Sequence, residues 1–266
     1  MTIQEIVQNA LDEDIGSGDI TTQLCVPPER RASGRFIARE PLILSGVELL
    51  PLLFGELDVK CSNGAALGPG GVIAQVRGSA RCLLTYERVS LNFLQRLSGI
   101  ATLTRKYVDA AAGTRCRILD TRKTTPGLRQ LEKAAALAGG ATNHRIGLYD
   151  AVLIKNNHIT AAGGVRRALE ATRHAQVPVE IEVRTKAELE EALACGAKRL
   201  LLDNLTPHEA REWIGIIGGR AVVELSGGIT LETVRAYAET GADFISVGAL
   251  THSAPAVDIN FRLELE

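Results

Sequence analysis

Six short apolar runs constrain the fold of this chain more than any other feature of its sequence. Each ends in polar residues, and most are separated by stretches with helical spacing; they occupy residues 117–120, 151–155, 179–183, 199–203, 221–226 and 244–248. Strands that alternate with helices form parallel sheets, because parallel neighbours require a crossover connection. The later runs recur roughly every 20 residues, which favours a closed α/β barrel. Since a standard barrel of this kind has eight strands, the six runs predict an irregular barrel with fewer than eight.

The sequence on either side of this region predicts a second, differently built unit. Before the first run, the pattern indicates a helix at 3–11, strands at 34–37 and 72–76, and a Gly/Pro-rich turn at 64–71. After the last run, residues 257–265 alternate between apolar and polar side chains, as a half-buried strand does. We expect this tail to rejoin the N-terminal sheet.

A long helix is predicted between the two regions. Apolar residues recur at i, i+3, i+4 and i+7 through residues 87–112, which is the pattern of an amphipathic helix. This helix would link two domains. We place the N-terminal domain at 1–105, completed by the tail at 252–266, and the catalytic barrel at 106–251.

Composition and charge exclude several classes of protein. The chain has 266 residues, with 30 Lys and Arg against 31 Asp and Glu, a balance that argues against a dedicated nucleic-acid binder. It has no apolar run long enough to span a membrane and no basic, apolar leader. The five cysteines are scattered and include no C-x-x-C pair, which favours a reduced cytoplasmic protein without a zinc site.

Positive charge concentrates between residues 120 and 158. That segment holds six Lys and Arg against three Asp and Glu, although the whole chain has a formal net charge of -1. Three clusters carry the excess: Asp120-Thr121-Arg122-Lys123, Asn143-His144-Arg145 and Lys155-Asn156-Asn157-His158. So local an excess predicts a pocket for a small polyanion.

Polar residues at the ends of the six runs divide into two predicted halves of one site. The ends of barrel strands face one mouth, where active sites lie. One half contains Arg122, His144, Arg145 and Lys155. The planar guanidinium groups and the compact charges of these side chains suit a small di-acid. In the other, Glu182 and Asp203 suit magnesium, and backbone N–H groups suit a phosphate at Ser226-Gly227-Gly228 and Gly248-Ala249.

Simpler interpretations remain open for several of these residues. Glu182 and Asp203, taken alone, are equally consistent with caps of helix N-termini, and Ser226-Gly227-Gly228 is consistent with a plain tight turn. For His158 and His252, substrate binding and a structural hydrogen bond are both open, so we leave them outside the catalytic set. The cysteines suit ordinary small core positions.

The chain resembles a known family, the quinolinate phosphoribosyltransferases. These enzymes are type II phosphoribosyltransferases and are also called carboxylating nicotinate-nucleotide pyrophosphorylases. The likeness covers nearly the whole sequence. Besides the cationic clusters, it rests on three strings: Asp14-Ile15-Gly16-Ser17-Gly18-Asp19-Ile20-Thr21-Thr22, Leu97-Ser98-Gly99-Ile100-Ala101-Thr102 and Ser246-Val247-Gly248-Ala249-Leu250-Thr251.

The resemblance implies a function, a fold and an assembly. The reaction would be a magnesium-dependent, decarboxylating transfer of phosphoribose from phosphoribosyl pyrophosphate to quinolinate, giving nicotinate mononucleotide, pyrophosphate and CO2 in NAD biosynthesis. The fold would pair an N-terminal α/β open-faced sandwich with an irregular α/β barrel. The assembly would be a homodimer with shared active sites, or a higher oligomer, with no nucleic-acid or membrane partner.

The resemblance also implies roles for individual residues. Quinolinate would bind Thr121, Arg122, His144, Arg145 and Lys155, with Arg88 of a second subunit completing the pocket. Phosphoribosyl pyrophosphate would bind Lys123, Lys155, Glu182, Asp203, Ser226, Gly227, Gly228, Gly248 and Ala249. Lys123, Lys155, Glu182 and Asp203 would act in catalysis, and Glu182 and Asp203 would also hold the metal.

Two rival functions deserve comparison. One is a paralogue of this fold associated with molybdenum transport, which keeps a Thr-Arg-Lys-Thr string; the strings Asn143-His144-Arg145 and Ile154-Lys155 argue against it. The other is a catalytically silent barrel that binds a phosphometabolite, which would be expected to lose a carboxylate or lysine from the site. Small departures from the family pattern, at Asn156 and Arg184, affect neither argument.

Overall fold

A computed structural model describes residues 2–266, which divide into two units. The first contains the chain up to Arg105, together with Thr124–Gly140 and Leu250–Glu266. The second contains Lys106–Lys123 and Ala141–Ala249. This division differs from the sequence-based boundaries chiefly in Thr124–Gly140, which groups with the first unit.

An antiparallel sheet forms the centre of the first unit. Its four strands lie in the order β12-β1-β5-β3, with β1 at Arg31–Ala38, β3 at Glu56–Val59, β5 at Val72–Ser79 and β12 at Ile259–Leu265; a separate pair joins β2 (Leu42–Ile43) to β4 (Ala66–Leu67). The C-terminal tail is confirmed as a strand, antiparallel to β1. Phe261 on the tail lies 4.8 Å from Phe36, centroid to centroid. Gly34 leaves room for the Phe261 ring, because a Cβ there would overlap it.

The first unit also contains several helices. They are α1 (Ile3–Ile15), α2 (Ile20–Cys25), a 3₁₀ helix (Val47–Leu52), the first 26 or so residues of α3 (Ala80–Ala110), and α4 (Arg129–Ala138). The predicted long helix is therefore confirmed as α3, although it begins earlier than the sequence pattern indicated. Its core face buries Leu94, Leu97 and Ile100. Among residues 2–266, no helix combines the length and apolarity needed to cross a membrane.

A buried ionic network ties α4 to α3 in the first unit. Glu132 is fully buried and accepts hydrogen bonds from Arg96 Nη2 at 3.0 Å and from the Thr125 backbone N–H and hydroxyl at 3.0 and 2.8 Å. Arg96 also donates to the backbone carbonyls of Thr251 and Ala254. This network explains why Thr124–Gly140 groups with the first unit.

We expect Glu132→Ala to destabilise the first unit by about 3 kcal/mol or more, because removing one partner of a buried pair leaves the other charge uncompensated. Chemical denaturation monitored by circular dichroism would measure the loss. Glu13→Ala, at an exposed position of α1, is the control and should change the free energy of unfolding by less than about 0.5 kcal/mol. Equal effects of the two changes would contradict a structural role for the network.

The second unit is built on a parallel sheet of six strands. Their order is β6-β11-β10-β9-β8-β7, where β6 is Arg117–Leu119, β7 Val152–Ile154, β8 Val179–Val183, β9 Arg199–Asp203, β10 Val222–Ser226 and β11 Phe244–Ser246. From β7 onward, helices lie between successive strands: α5 (Asn156–Ala162), α6 (Val165–Ala171), α7 (Lys186–Ala194), α8 (Pro207–Ile217) and α9 (Val234–Ala238). A short helix, α10 (Ala249–His252), follows β11, and its residues from Leu250 onward belong to the first unit. All six predicted runs are confirmed as strands.

The strand order places the first strand beside the last, as in a barrel, and leaves a break between β6 and β7. Thr142 partly fills it through a parallel bridge with Leu119, and its N–H donates to the carbonyl of Ile118 at 2.8 Å. The predicted fold class, an irregular α/β barrel with fewer than eight strands beside a separate sheet domain, is confirmed.

Candidate active site

The candidate active site lies at the carboxyl ends of the second unit's strands. The predicted site residues in this unit follow or end the strands in turn: Thr121–Lys123 after β6, Lys155 after β7, Glu182 in β8, Asp203 at the end of β9, Ser226–Gly228 from β10, and Gly248–Ala249 after β11. Carboxyl ends of parallel strands meet at one edge of the sheet, which is where α/β barrels carry their active sites.

The guanidinium groups of Arg122 and Arg145 influence each other electrostatically at this edge. Burial and the nearby charge of Arg122 lower the pKa of Arg145, while Asp150 and Glu180 act in the opposite direction. Arg145 is oriented by a hydrogen bond from Nη1 to the carbonyl of Ala151, at 2.9 Å. Paired guanidinium forks suit a ligand with two carboxylates.

Asp120 connects the first two cationic clusters. It is fully buried at the end of β6, and its Oδ1 accepts the backbone N–H of His144 at 2.8 Å. One residue later, the Thr121 hydroxyl accepts the backbone N–H of Lys123 at 3.1 Å. These bonds hold the segment carrying Arg122 and Lys123 next to the segment carrying His144 and Arg145.

His144 has both ring nitrogens engaged within the unit. Nδ1 accepts the backbone N–H of Arg145 at 2.7 Å, and Nε2 lies 3.6 Å from Glu180 Oε2 and 3.4 Å from Glu224 Oε2. Burial lowers the pKa of His144, but the two carboxylates outweigh burial and raise it to about 9. Because Nδ1 accepts, we place a proton on Nε2, facing the carboxylates. The sequence-based role of His144, direct contact with the di-acid, stays a prediction.

Lys155 and Glu182 form an ion pair across neighbouring strands. Lys155 Nζ lies 3.1 Å from Glu182 Oε2, and the glutamate side chain is 7% exposed whereas the lysine is 50% exposed. The lysine therefore compensates the charge of the buried carboxylate while half of its own side chain stays accessible.

The segments that end β9 and β10 pack closely against each other. Asp203 and Ser226 are paired in register, the Asn204 N–H donates to the Ser226 carbonyl at 2.9 Å, and the Asn204 side chain donates to Asp203. Asn204 has a positive φ of 58°. Gly227, with φ at 107°, packs so closely on Asn204 that a Cβ would lie 2.7 Å from its backbone nitrogen.

We expect Gly227→Ala to weaken binding of a phosphate-bearing substrate by at least about tenfold, because the added methyl group must displace the Asn204 backbone from under the loop. Calorimetric titration with phosphoribosyl pyrophosphate would measure this. The matched control is Gly219→Ala, where φ is also positive at 75° but nothing lies within 4 Å of an added Cβ. If both variants bind phosphoribosyl pyrophosphate with the same affinity, the close packing of Gly227 on Asn204 has no part in binding the phosphate.

Sequence reasoning missed Glu180 and Glu224. Both are buried inside the second unit, and with His144 they form a group whose ligand atoms lie within 4.8 Å of one another. The signal was present: strand side chains alternate with period two, so Glu180 shares a face with Glu182, and Glu224 shares one with Ser226.

The structure also locates Arg88, His158 and His252. Arg88 lies exposed on α3 in the first unit. His158 Nδ1 accepts the backbone N–H of Lys155 at 2.9 Å, and His252 Nδ1 lies 2.6 Å from the Ser253 hydroxyl. Both histidines thus make local hydrogen bonds, consistent with the structural alternative.

Two family models match most of the chain. The Quinolinate phosphoribosyl transferase N-terminal domain matches residues 19–98, and the C-terminal domain of the same name matches residues 100–262. The chain belongs to the quinolinate phosphoribosyltransferase family. The resemblance inferred from the sequence is confirmed.

Individual relatives agree with this assignment. A Bacillus subtilis (strain 168) protein, named probable nicotinate-nucleotide pyrophosphorylase (carboxylating), is 40% identical over 100% of this chain and 94% of its own. A Nicotiana tabacum protein, named quinolinate phosphoribosyltransferase (decarboxylating) 2a, mitochondrial, is 40% identical over 99% of this chain and 83% of its own. The crystal structure of nicotinate-nucleotide pyrophosphorylase from Ehrlichia chaffeensis superposes with a TM-score of 0.95 at 36% identity, covering 99% of both chains.

Proposed function

We propose that this chain transfers phosphoribose from phosphoribosyl pyrophosphate to the ring nitrogen of quinolinate and releases pyrophosphate and CO2, giving nicotinate mononucleotide for NAD biosynthesis. One observation carries the proposal: Arg122, Arg145 and the ion pair of Lys155 with Glu182 all belong to the second unit, where Asp120 ties the segment of Arg145 to the end of β6 and the ion pair joins the ends of β7 and β8. The first pair suits a di-acid, and the second suits a sugar phosphate with a developing positive charge. The names of the family and its relatives specify that reaction.

Quinolinate carries two adjacent carboxylates, and the paired guanidinium groups are its proposed receptors. Arg122 and Arg145 each present a planar fork that binds a carboxylate through two hydrogen bonds. The Thr121 hydroxyl and Lys155 are proposed to complete this half. Burial and, after it, the charge of Arg122 lower the pKa of Arg145, so a dianion that binds here would relieve the repulsion between the two guanidinium groups.

Phosphoribosyl pyrophosphate is proposed to bind the other half. Lys123 and Lys155 would neutralise its pyrophosphate as point charges. The backbone N–H groups after β10 and β11, from Ser226, Gly227, Gly228, Gly248 and Ala249, are proposed to hold the 5-phosphate, because chain turns of this kind expose donors without side-chain obstruction.

Magnesium is proposed to bind Glu182 and Asp203. Among residues 2–266, hydrogen bonds occupy one oxygen of each carboxylate, Oε2 of Glu182 and Oδ2 of Asp203, so each retains an oxygen for a hard cation. The donor set therefore fits the ion. When bound, magnesium supplies positive charge to the phosphate oxygens.

The reaction follows from these positions. As the bond from ribose C1 to pyrophosphate breaks, the sugar gains oxocarbenium character, which the carboxylates of Glu182 and Asp203 stabilise. The quinolinate nitrogen then forms the new bond to C1. When CO2 departs, its electron pair stays on the ring carbon as a carbanion, which the positive pyridinium nitrogen stabilises until a proton from solvent takes the place of the lost carboxylate. Arg122, Arg145 and Lys155 keep the ring aligned throughout.

A homodimer with a shared site is part of the proposal, with Arg88 reaching the partner's pocket. Large apolar side chains stay exposed on each unit, as expected of surfaces that bind another chain: Ile20 and Leu24 on α2, and Ile146, Leu148 and Tyr149 between β6 and β7. Sedimentation of Arg88→Ala should show an intact dimer, whereas calorimetric titration should show weakened binding of quinolinate.

We also propose a cytoplasmic location, which suits five free cysteines.

One assay tests the proposed reaction. Purified protein is mixed with quinolinate, phosphoribosyl pyrophosphate and magnesium, and nicotinate mononucleotide, pyrophosphate and CO2 are measured. Equal formation of all three products is expected, and EDTA should abolish it. Binding of either substrate without any product would support the silent phosphometabolite-binding barrel instead.

A further inference from the structure

The interior of the second unit holds two buried carboxylates that the proposed reaction does not use. Glu180 in β8 is 4% exposed and Glu224 in β10 is fully buried. Burying a carboxylate is costly unless it is paired or hydrogen-bonded. Apolar residues would fill these positions at a lower free-energy cost, so these two carboxylates call for a role.

The hydrogen bonds available to the two carboxylates are few. Glu224 Oε1 accepts the hydroxyl of Ser246 at 2.6 Å. Among residues 2–266, Glu180 Oε1 and Glu224 Oε2 accept no hydrogen bond. The Nε2–H of His144 faces both carboxylates, with Nε2 at 3.4 Å from Glu224 and 3.6 Å from Glu180, distances longer than a good hydrogen bond.

His144 is in turn connected to the substrate-binding residues on its other side. Its Nδ1 accepts the N–H of Arg145, and its own N–H donates to Asp120. Arg145 Nη1 then donates to the carbonyl of Ala151. A continuous series of contacts thus runs from Ser246 in β11 through Glu224 and His144 to the backbone of Arg145, whose guanidinium is held separately by Ala151.

We propose that Glu180 and Glu224 are positioning residues: they hold the His144 ring from inside the barrel and so fix the direction in which Arg145 meets the di-acid. The inference rests on the proposed function, because it assigns Arg145 to that acid. It predicts that damage to the carboxylate pair affects one substrate and spares the other. Neither glutamate touches the reacting atoms.

The test compares isosteric amide variants. Glu224→Gln and Glu180→Gln keep the side-chain volume and remove the charge, and Glu212→Gln, in an exposed pair with Lys186, is the matched control. Calorimetric titration with phthalate, a di-acid that cannot react, and separately with phosphoribosyl pyrophosphate gives both affinities. We expect phthalate to bind the first two variants at least about tenfold more weakly, phosphoribosyl pyrophosphate to bind within about twofold, and the control to be unchanged.

Two further measurements keep the proposal falsifiable if an amide variant fails to fold. Ser246→Ala removes the hydrogen bond to Glu224 and leaves both charges, and it should weaken phthalate binding by about threefold. In the wild-type protein, proton NMR should show a slowly exchanging Nε2–H of His144, assigned by its loss in His144→Asn. This resonance should move upfield and exchange faster in Ser246→Ala.

Three outcomes would overturn the proposal. The first is an equal fall in both affinities, or a fall in neither. The second is a His144 resonance that does not respond to Ser246→Ala. The third is a stoichiometric transition metal in the purified protein whose removal by a chelator changes the His144 resonance, since the three side chains would then be metal ligands. Failure of the proposed function is distinct: the wild-type protein would make no product, while the resonance test would still report on the carboxylates.

Discussion

Replacing Arg145 with alanine should weaken quinolinate binding by about 100-fold or more and change phosphoribosyl pyrophosphate binding by less than about threefold. Two charge-assisted hydrogen bonds to a carboxylate are worth roughly 3 kcal/mol together, and each 1.4 kcal/mol is a factor of ten. Arg145 is held by Ala151 and lies near Arg122, on the predicted acid-binding half. Calorimetric titration of each substrate measures the two affinities.

Arg173→Ala is the control for this experiment. Arg173 is exposed in the same unit, so its replacement removes an arginine without touching the predicted site. The two affinities of Arg145→Ala also serve as controls for each other, because misfolding would reduce both. Equal losses for quinolinate and phosphoribosyl pyrophosphate would refute the division of the site into two halves.

The barrel strands were predictable because burial on both faces leaves a simple trace in the sequence. The strand β9 coincides with the run at Arg199–Asp203, whose three central residues are all leucine, since parallel strands covered by helices are apolar along their length. Two elements of the first unit gave no such trace. The edge strand β3 is mostly exposed, and α2 is only six residues long, too short for helical periodicity to be recognised.

The closure of the barrel was not predictable from periodicity. A single residue, Thr142, pairs with β6 at the break in the sheet, and one bridge makes no repeating pattern. The grouping of Thr124–Gly140 with the first unit has a similar cause. It depends on Glu132 reaching Arg96, a contact between residues far apart in sequence.

For the site, the sequence indicated which residues follow the strands but not what lies beneath them. Polar residues after an apolar run are conspicuous, whereas Glu180 within a strand is easily taken for the exposed face of a half-buried strand. In a barrel that face is the interior. A polar interior layer became visible only with the register of β8 and β10 and the direction of the His144 ring.

The ion pair of Lys155 with Glu182 combines binding and charge compensation in one contact. Glu182 is buried and Lys155 is half exposed, so the lysine offsets the charge of the carboxylate when the site is empty and still reaches a ligand. Under the proposed function, Glu182 would stabilise the positive charge that develops on the sugar, and Lys155 would neutralise the leaving pyrophosphate.

Lys155→Met should consequently lower kcat by about a thousandfold, because it removes a donor to the developing charge of the leaving group and leaves Glu182 without its counter-charge. Steady-state kinetics with both substrates measures the change. Lys186→Met is a closely matched control: Lys186 pairs with Glu212 at 2.6 Å, but both side chains are about half exposed, so activity should stay within about twofold. A Lys155→Met enzyme that keeps more than about a tenth of the wild-type kcat would show that the leaving group does not need this lysine, and Lys123 would then be the cation to test.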